Sequence, residues 1–261
     1  RQMCIRDRNQ GDNVAITLSS MMPHTIHLHG LDVDQQNDGV PTTSFAVGGM
    51  GGIGSSYTYR FVAPHAGTYM YHCHVETNLH FEMGMFGTII IRPEDGSTNR
   101  IWANGPVFDK EYIWQLTTFD SSWHSGMGGM GGGMGGGSSS QLVRYRPDYF
   151  MINGRDGAKT NSDSTSAITA SAGQKVLVRV NGTSYLPGIV RMGGLPFEVV
   201  ASDGRPLAQS YTTTEVLCAA GERYDIILTM PSSGQYTGSI EYRDIRNARV
   251  LGTATTTITV V

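Results

Sequence analysis

Short runs of alternating or apolar residues, rich in β-branched side chains, follow one another along the first third of the chain: NVAITL, TIHLHG, SYTYRFV, GTYMYHC and GTIIIRP. Side chains on a strand point alternately to its two faces, so this period predicts half-buried strands. The intervening DGVP, GGMGG and HAG supply turn residues. PEDGSTN reads as a linker, after which EYIWQLTTFD predicts the opening strand of a second unit. DYFMING, KVLVRV, PFEVVASDG, TEVLCAAGERYDIILTM, GQYTGSIEYRD and TATTTITVV continue the series. Together they predict an all-β chain of two sandwich domains, residues 1–98 and 99–261.

The second unit echoes the first. GTYMYHCHV parallels GQYTGSIEY, which sets His72, Cys73 and His74 opposite Ser239, Ile240 and Glu241. The region of IHLHGL parallels VRMGGL, with Arg191 and Gly193 opposite His27 and His29. A duplicated sandwich whose first copy alone keeps metal-ligating residues is the simplest account. Within the second unit, SSWHSGMGGMGGGMGGGSSS is too poor in apolar residues to order itself, and predicts a flexible Gly/Met-rich insertion at about 125–140.

Composition narrows the chemistry. The 261 residues carry a net charge of −3, only 16% are charged, and no basic block offers a nucleic-acid surface. No apolar run approaches the roughly 18 residues that span a bilayer. Three scattered cysteines, Cys4, Cys73 and Cys218, make no disulfide framework. Cys218 reads as a small buried apolar residue and Cys4 as incidental. The opening RQMCIRDRNQ runs straight into an early strand and includes MCIRDR, similar to translated adaptor sequence; this predicts a truncated or chimeric start. All eight histidines, His24, His27, His29, His65, His72, His74, His80 and His124, lie in the first half, six of them in two tight groups. Metal chemistry is therefore expected in the first half. His65, in APHAGTY, is expected to be a turn residue.

In His24-Thr-Ile-His27-Leu-His29-Gly30, His27 and His29 stand two apart on a strand and face the same way. In His72-Cys73-His74 the two histidines share one face and the cysteine takes the other, so one strand can serve two metal sites. Two His and one Cys with a weak axial Met is the donor set of electron-transfer copper, and His24, Cys73, His80 and Met85 supply it. His80 and Met85 are expected in a loop that folds back over the metal. Met127, Met130 and Met134 in the Gly-rich insertion are soft donors suited to Cu(I), with His124 close by, although incidental placement accounts for them more simply. Met21, Met22, Met50 and Met83 are expected mainly to fill gaps in packing.

HTIHLHG and HCHVETNLHFEMGM resemble the metal-binding motifs of the multicopper oxidases, the family of laccases and their two-domain bacterial relatives. The likeness covers about residues 11 to 96, with weaker support from MINGRDG, VVASDGRPL and GERYDIIL. The resemblance implies two cupredoxin-like Greek-key domains and a type 1 copper held by His24, Cys73, His80 and Met85. It further implies that His27, His29, His72 and His74 form half of a type 2/type 3 copper cluster that reduces dioxygen, with Asp38 handling protons. A phenolic or metal-ion reductant and a periplasmic or secreted location follow from it too.

Three features depart from the family pattern. Cys73 and His80 are seven apart rather than five. The type 1 motif sits in the first domain, as in some two-domain members and in copper nitrite reductases. The family's trinuclear cluster uses eight histidines, and only four suitably paired ones are present. Another polypeptide, a missing part of this one, or a homo-trimer would have to complete it. A non-enzymatic type 1 electron carrier is one alternative. A copper nitrite reductase is another, opposed by His27 where an Asp is expected and by His74 where no ligand is expected.

Overall fold

A computed structural model describes residues 5–124 and 145–261. Cys4 and the methionines Met127, Met130 and Met134 lie outside the described residues. In the first half the strands are β1 (Ile5–Asn9), β2 (Asn13–Ser19), β3 (His27–His29), β4 (Ser56–Val62), β5 (Gly67–His72) and β6 (Phe86–Arg92). One short helix, α1 (Thr77–Glu82), lies between β5 and β6. In the second half they are β7 (Lys110–Phe119), β8 (Tyr149–Ile152), β9 (Ile168–Ala170), β10 (Lys175–Asn181), β11 (Gly188–Met192), β12 (Phe197–Ser202), β13 (Arg205–Thr213), β14 (Glu215–Cys218), β15 (Arg223–Thr229), β16 (Gln235–Arg243) and β17 (Val250–Val260).

Each half is a cupredoxin-like sandwich of two sheets. In the first half the sheets run β1-β6-β5-β3 and β2-β4; in the second, β13-β12-β15-β10-β7-β8 and β14-β11-β16-β17-β9. Val14, Ile16, Leu28, Tyr69, Ile89 and Ile91 fill the first core. The larger second core centres on Trp114, Val178, Phe197, Ile226 and Ile240. Both are assembled from alternate residues of facing strands, which is the period seen in the sequence.

The proposed echo holds in register. His27 pairs with His72 across β3 and β5, and Arg191 pairs with Ser239 across β11 and β16. Where the first half has the His27 and His74 rings 5.2 Å apart, the second has Arg191 facing Glu241 at 3.7 Å.

Four expectations are corrected. Ile5–Asn9, unassigned in the sequence, forms a strand parallel to β6, with Ile5 opposite Thr88 and Asn9 opposite Arg92. IRDRN has no apolar period, and the pairing rests on the backbone ladder with an Arg92–Asp7 ion pair at 3.1 Å beside it. The expected loop after Cys73 contains helix α1. β13, not among the strands expected from the sequence, is a largely exposed edge strand with no buried stripe. Met21 and Met50 are fully solvent-facing and Met22 is exposed, so these three fill no gaps.

The interface between the halves explains why β10 is buried on both faces. Val176, Val178 and Val180 point into the second core. Arg179 and Asn181 point the other way, where Thr68 and Thr88 of the first half cover them. Gln115 Nε2 and Asn181 Nδ2 both donate to Thr88 Oγ1, at 2.8 and 2.9 Å. Arg179, fully buried, donates to Glu111 at 2.6 Å and to Thr68 Oγ1 at 2.7 Å, and stands 3.5 Å from Asp225. Arg92 extends this chain of charges from Glu111 to Asp7.

Candidate metal centre

β3 is a sheet edge, paired on one side to β5, and this pairing delivers both histidine motifs to one end of the sandwich. His72 is the last residue of β5, but the alternation of side chains continues past it. Cys73 turns to one side, where its Sγ lies 3.6 Å from His24 Nδ1 and 3.2 Å from His80 Nδ1. His72 and His74 turn to the other, with ring centroids 5.0 and 5.2 Å from that of His27.

The Cys73 group suits a single soft metal ion. Donors bonded to one ion at about 2.0–2.3 Å stand roughly 3.2–3.8 Å apart, and the observed Sγ–N distances fall in that range. Cys73 is buried, and burial pushes its thiol up, so a cation would be needed to hold the thiolate. His24 is held below the usual imidazole range by burial and by His80 beside it, which leaves its ring nitrogen free to bind metal. Met85 is tied to this group by its backbone. Its carbonyl accepts from Cys73 N–H at 3.0 Å and its own N–H donates to the His80 carbonyl at 3.0 Å, while its side chain is 41% exposed.

The second group joins His27, His29 and His72, whose ring nitrogens lie within 4.8 Å of one another, and His74 stacks on His72 at 5.8 Å. Backbone carbonyls orient two of these rings. His27 Nδ1 donates to the Asp38 carbonyl at 2.7 Å, and His72 Nδ1 to the Cys73 carbonyl at 2.9 Å. In each case Nε2 is left to face the cluster, the arrangement expected of a metal-ligating imidazole. The Asp38 carboxylate stands 3.4 Å from the same His27 nitrogen. Burial, helped by the other rings, lowers His72 to about 4. Burial and then the Arg223 guanidinium lower His29 to about 3. Four crowded imidazoles, with the Asp38 carboxylate only at the outer nitrogen of His27, form a donor set fit for copper rather than for a hard oxygen-loving cation.

The two groups share the Cys73 peptide: residues 72, 73 and 74 place donors alternately in one group and the other. Of the residues the sequence singled out, His24, Cys73 and His80 come together. So do His27, His29, His72 and His74, with Asp38 against His27. His65 lies at the surface 3.6 Å from Asp32. His124 stacks on Phe119 at 3.9 Å.

Sequence reasoning missed Arg223. It reaches from the second half to the turn after His29, where Gly30 has φ +83° and a Cβ would collide with the guanidinium. Arg223 is held by Asp203 at 3.1 Å and by the Gly221 carbonyl at 2.5 Å. Its only sequence signal was GERYD, which carries no periodicity or metal chemistry.

Family models described as "Multicopper oxidase" match residues 7–96 and 117–261. The copper-containing nitrite reductase of Neisseria meningitidis serogroup B is 27% identical over 218 residues, covering 81% of this chain and 50% of that protein. Laccase-5 of Arabidopsis thaliana is 25% identical over 260 residues, covering 96% of this chain and 42% of that protein. The chain thus spans about half the length, or less, of these curated relatives. In structure, the Blue Copper Oxidase from Nitrosomonas europaea superposes with a TM-score of 0.76 at 28% identity, over 98% of this chain and 76% of that one. With both halves matched by the same family and a copper-type donor set at one end of the first sandwich, this chain belongs to the multicopper oxidases, a family whose cofactor is copper.

Proposed function

We propose that this chain is the electron-accepting and part of the oxygen-reducing portion of a laccase-like oxidase. His24, Cys73, His80 and Met85 would hold a type 1 copper, and His27, His29, His72 and His74 would hold copper of the type 2/type 3 cluster. Copper at these positions would supply one-electron oxidation of a phenolic or metal-ion reductant coupled to reduction of dioxygen. The observation that carries the reading is the back-to-back placement of the two groups on residues 72–74, which leaves only the backbone of one strand end between them.

In this reading Cys73 and the flanking peptides give electrons a covalent path to His72 and His74. The Asp38 carbonyl fixes the His27 tautomer, and the Asp38 carboxylate beside it is the candidate proton carrier. The division into a copper-binding domain, 1–98, and a domain without ligands, 99–261, is part of the proposal. It is supported by apolar cores that share no residues across that boundary. Four histidines being half of the usual set, a further polypeptide segment or a homo-trimer would complete the cluster. A periplasmic or secreted location fits a thiolate copper site; among the described residues no helix is long and apolar enough to cross a membrane.

The same shortage of histidines favours a second reading, an electron-transfer protein that keeps only the type 1 copper. A nitrite reductase-like enzyme is a third, suggested by the Neisseria relative; His27 and His74, both in the histidine group, argue against it. Copper per chain, visible absorption and oxygen uptake on a phenolic dye separate them. More than one copper with an intense blue band and oxygen uptake is expected. One copper with the blue band and no uptake would leave the carrier, and turnover of nitrite would leave the reductase.

A further inference from the structure

The second half has no histidine after position 124 and none of its described residues joins either group, yet it grips the segment that carries His80. That segment cannot hold its own shape. Helix α1 has six residues, well below the ~12–15 at which an isolated helix becomes even marginal. Its N-cap, Glu76, is a non-glycine residue at φ 41° and makes no capping hydrogen bond. Such a strained residue persists only when its surroundings over-determine it.

Phe86 stacks on Phe81 at 4.7 Å from within the first half, and the other supports are Asp120, Tyr145 and Tyr185 of the second. The Tyr185 hydroxyl donates to the Asn78 carbonyl at 2.5 Å, with the Thr77 carbonyl 3.1 Å away. Its ring packs on Phe81, centroids 5.6 Å apart, and Phe81 in turn lies against the His72 ring at 5.6 Å. At the other end of the helix the buried Glu82 accepts from the Tyr145 hydroxyl at 3.1 Å and from Asp120 N–H at 2.6 Å. Tyr145 is itself bonded to Thr118 and packs edge-on to Tyr185 at 5.4 Å. His80 thus sits on a helix tied at both ends to the other half, within one turn of each tie.

We propose that Tyr185 and Tyr145 are positioning residues for the metal held at Cys73, fixing helix α1 and through it the place of His80. The second half then acts as the rigid support of the type 1 copper. The inference rests on the copper reading of the Cys73 group.

The test uses the full chain with Tyr185→Phe and Tyr145→Phe, and Tyr242→Phe as the control. Tyr242 is buried in the second core and bonds only there, donating to the Met151 carbonyl at 2.6 Å and accepting from Thr117 N–H at 2.8 Å. In the copper-free chain, amide hydrogen exchange is followed in residues 77–83. In the copper-loaded chain, loss of the blue band to a chelator is timed, and the electron paramagnetic resonance hyperfine splitting is recorded. Tyr185→Phe is expected to raise both rates about fivefold to tenfold, the effect of one hydrogen bond worth about 1–1.4 kcal/mol. It is also expected to alter the hyperfine splitting, while Tyr242→Phe leaves all three readouts as in the parent. Equal behaviour of Tyr185→Phe and Tyr242→Phe would overturn the inference. A parent chain that never turns blue would overturn the copper reading beneath it, and the exchange data, taken without metal, tell that failure from a failure of the clamp.

Discussion

Arg179→Met tests whether charge pairing joins the two halves. The side chain keeps its length and apolar stem while losing the guanidinium. Glu111 keeps the two-pronged contact with Arg92, at 2.6 and 2.7 Å, so it stays paired. Asp225 does not. It is 1% exposed, burial already pushes its carboxyl up, and only the Thr68 hydroxyl at 2.5 Å would remain on it. An unpaired buried carboxylate escapes by taking a proton. Holding a carboxyl of ordinary pKa ~3.9 neutral at pH 7 costs about 4 kcal/mol, an upper bound on the loss because burial already raises Asp225 in the parent. At pH 5 the same protonation costs only about 1.5 kcal/mol. The loss should therefore shrink by more than half between the two pH values. Urea unfolding of the copper-free chain, followed by tryptophan fluorescence and compared with the parent at each pH, measures it. Asp225→Asn in the Arg179→Met background should recover most of the loss at pH 7. A loss below about 1 kcal/mol at pH 7, or one that does not diminish at pH 5, would refute the reasoning.

Three further outcomes are expected. Cys73→Ser should abolish the blue band on copper loading and leave far-ultraviolet circular dichroism unchanged, since a thiolate is needed for the charge-transfer absorption and not for the sheet. His72 has a depressed folded pKa of about 4 against about 6.5 unfolded. Its contribution is therefore full above pH 6.5 and is lost as pH falls toward 4, by up to about 3 kcal/mol; unfolding midpoints of the copper-free chain across that window check the sign. Gly30→Ala should cost at least about 1–2 kcal/mol from its left-handed backbone alone, with more from displacing Arg223. It should also lower copper at the histidine group while the blue band survives, as metal analysis beside visible absorption would show.

The sequence by itself determined much of the site, because strand alternation is a local property. The pairs His27/His29 and His72/His74 and the opposed Cys73 follow from a period of two, and soft thiolate with imidazole points to copper whatever the fold. The two-sandwich pattern was legible for the same reason, down to the register in which Arg191 and Ser239 stand where His27 and His72 do. Tertiary structure decided what no local pattern encodes. IRDRN pairs through its backbone ladder and the Asp7–Arg92 ion pair, and the exposed β13 has no buried stripe, so neither leaves a hydrophobic signature. Helix α1 is too short and too poorly capped to be written in its own residues, and exists because Tyr185 and Tyr145, from more than sixty positions further along, hold it. Arg179 and Arg223 are ordinary charged residues in a strand pattern until the two halves close over them. Their pairing with Asp225 and their approach to Gly30 are set by the contact between the halves, a distance in space that periodicity along the chain cannot carry.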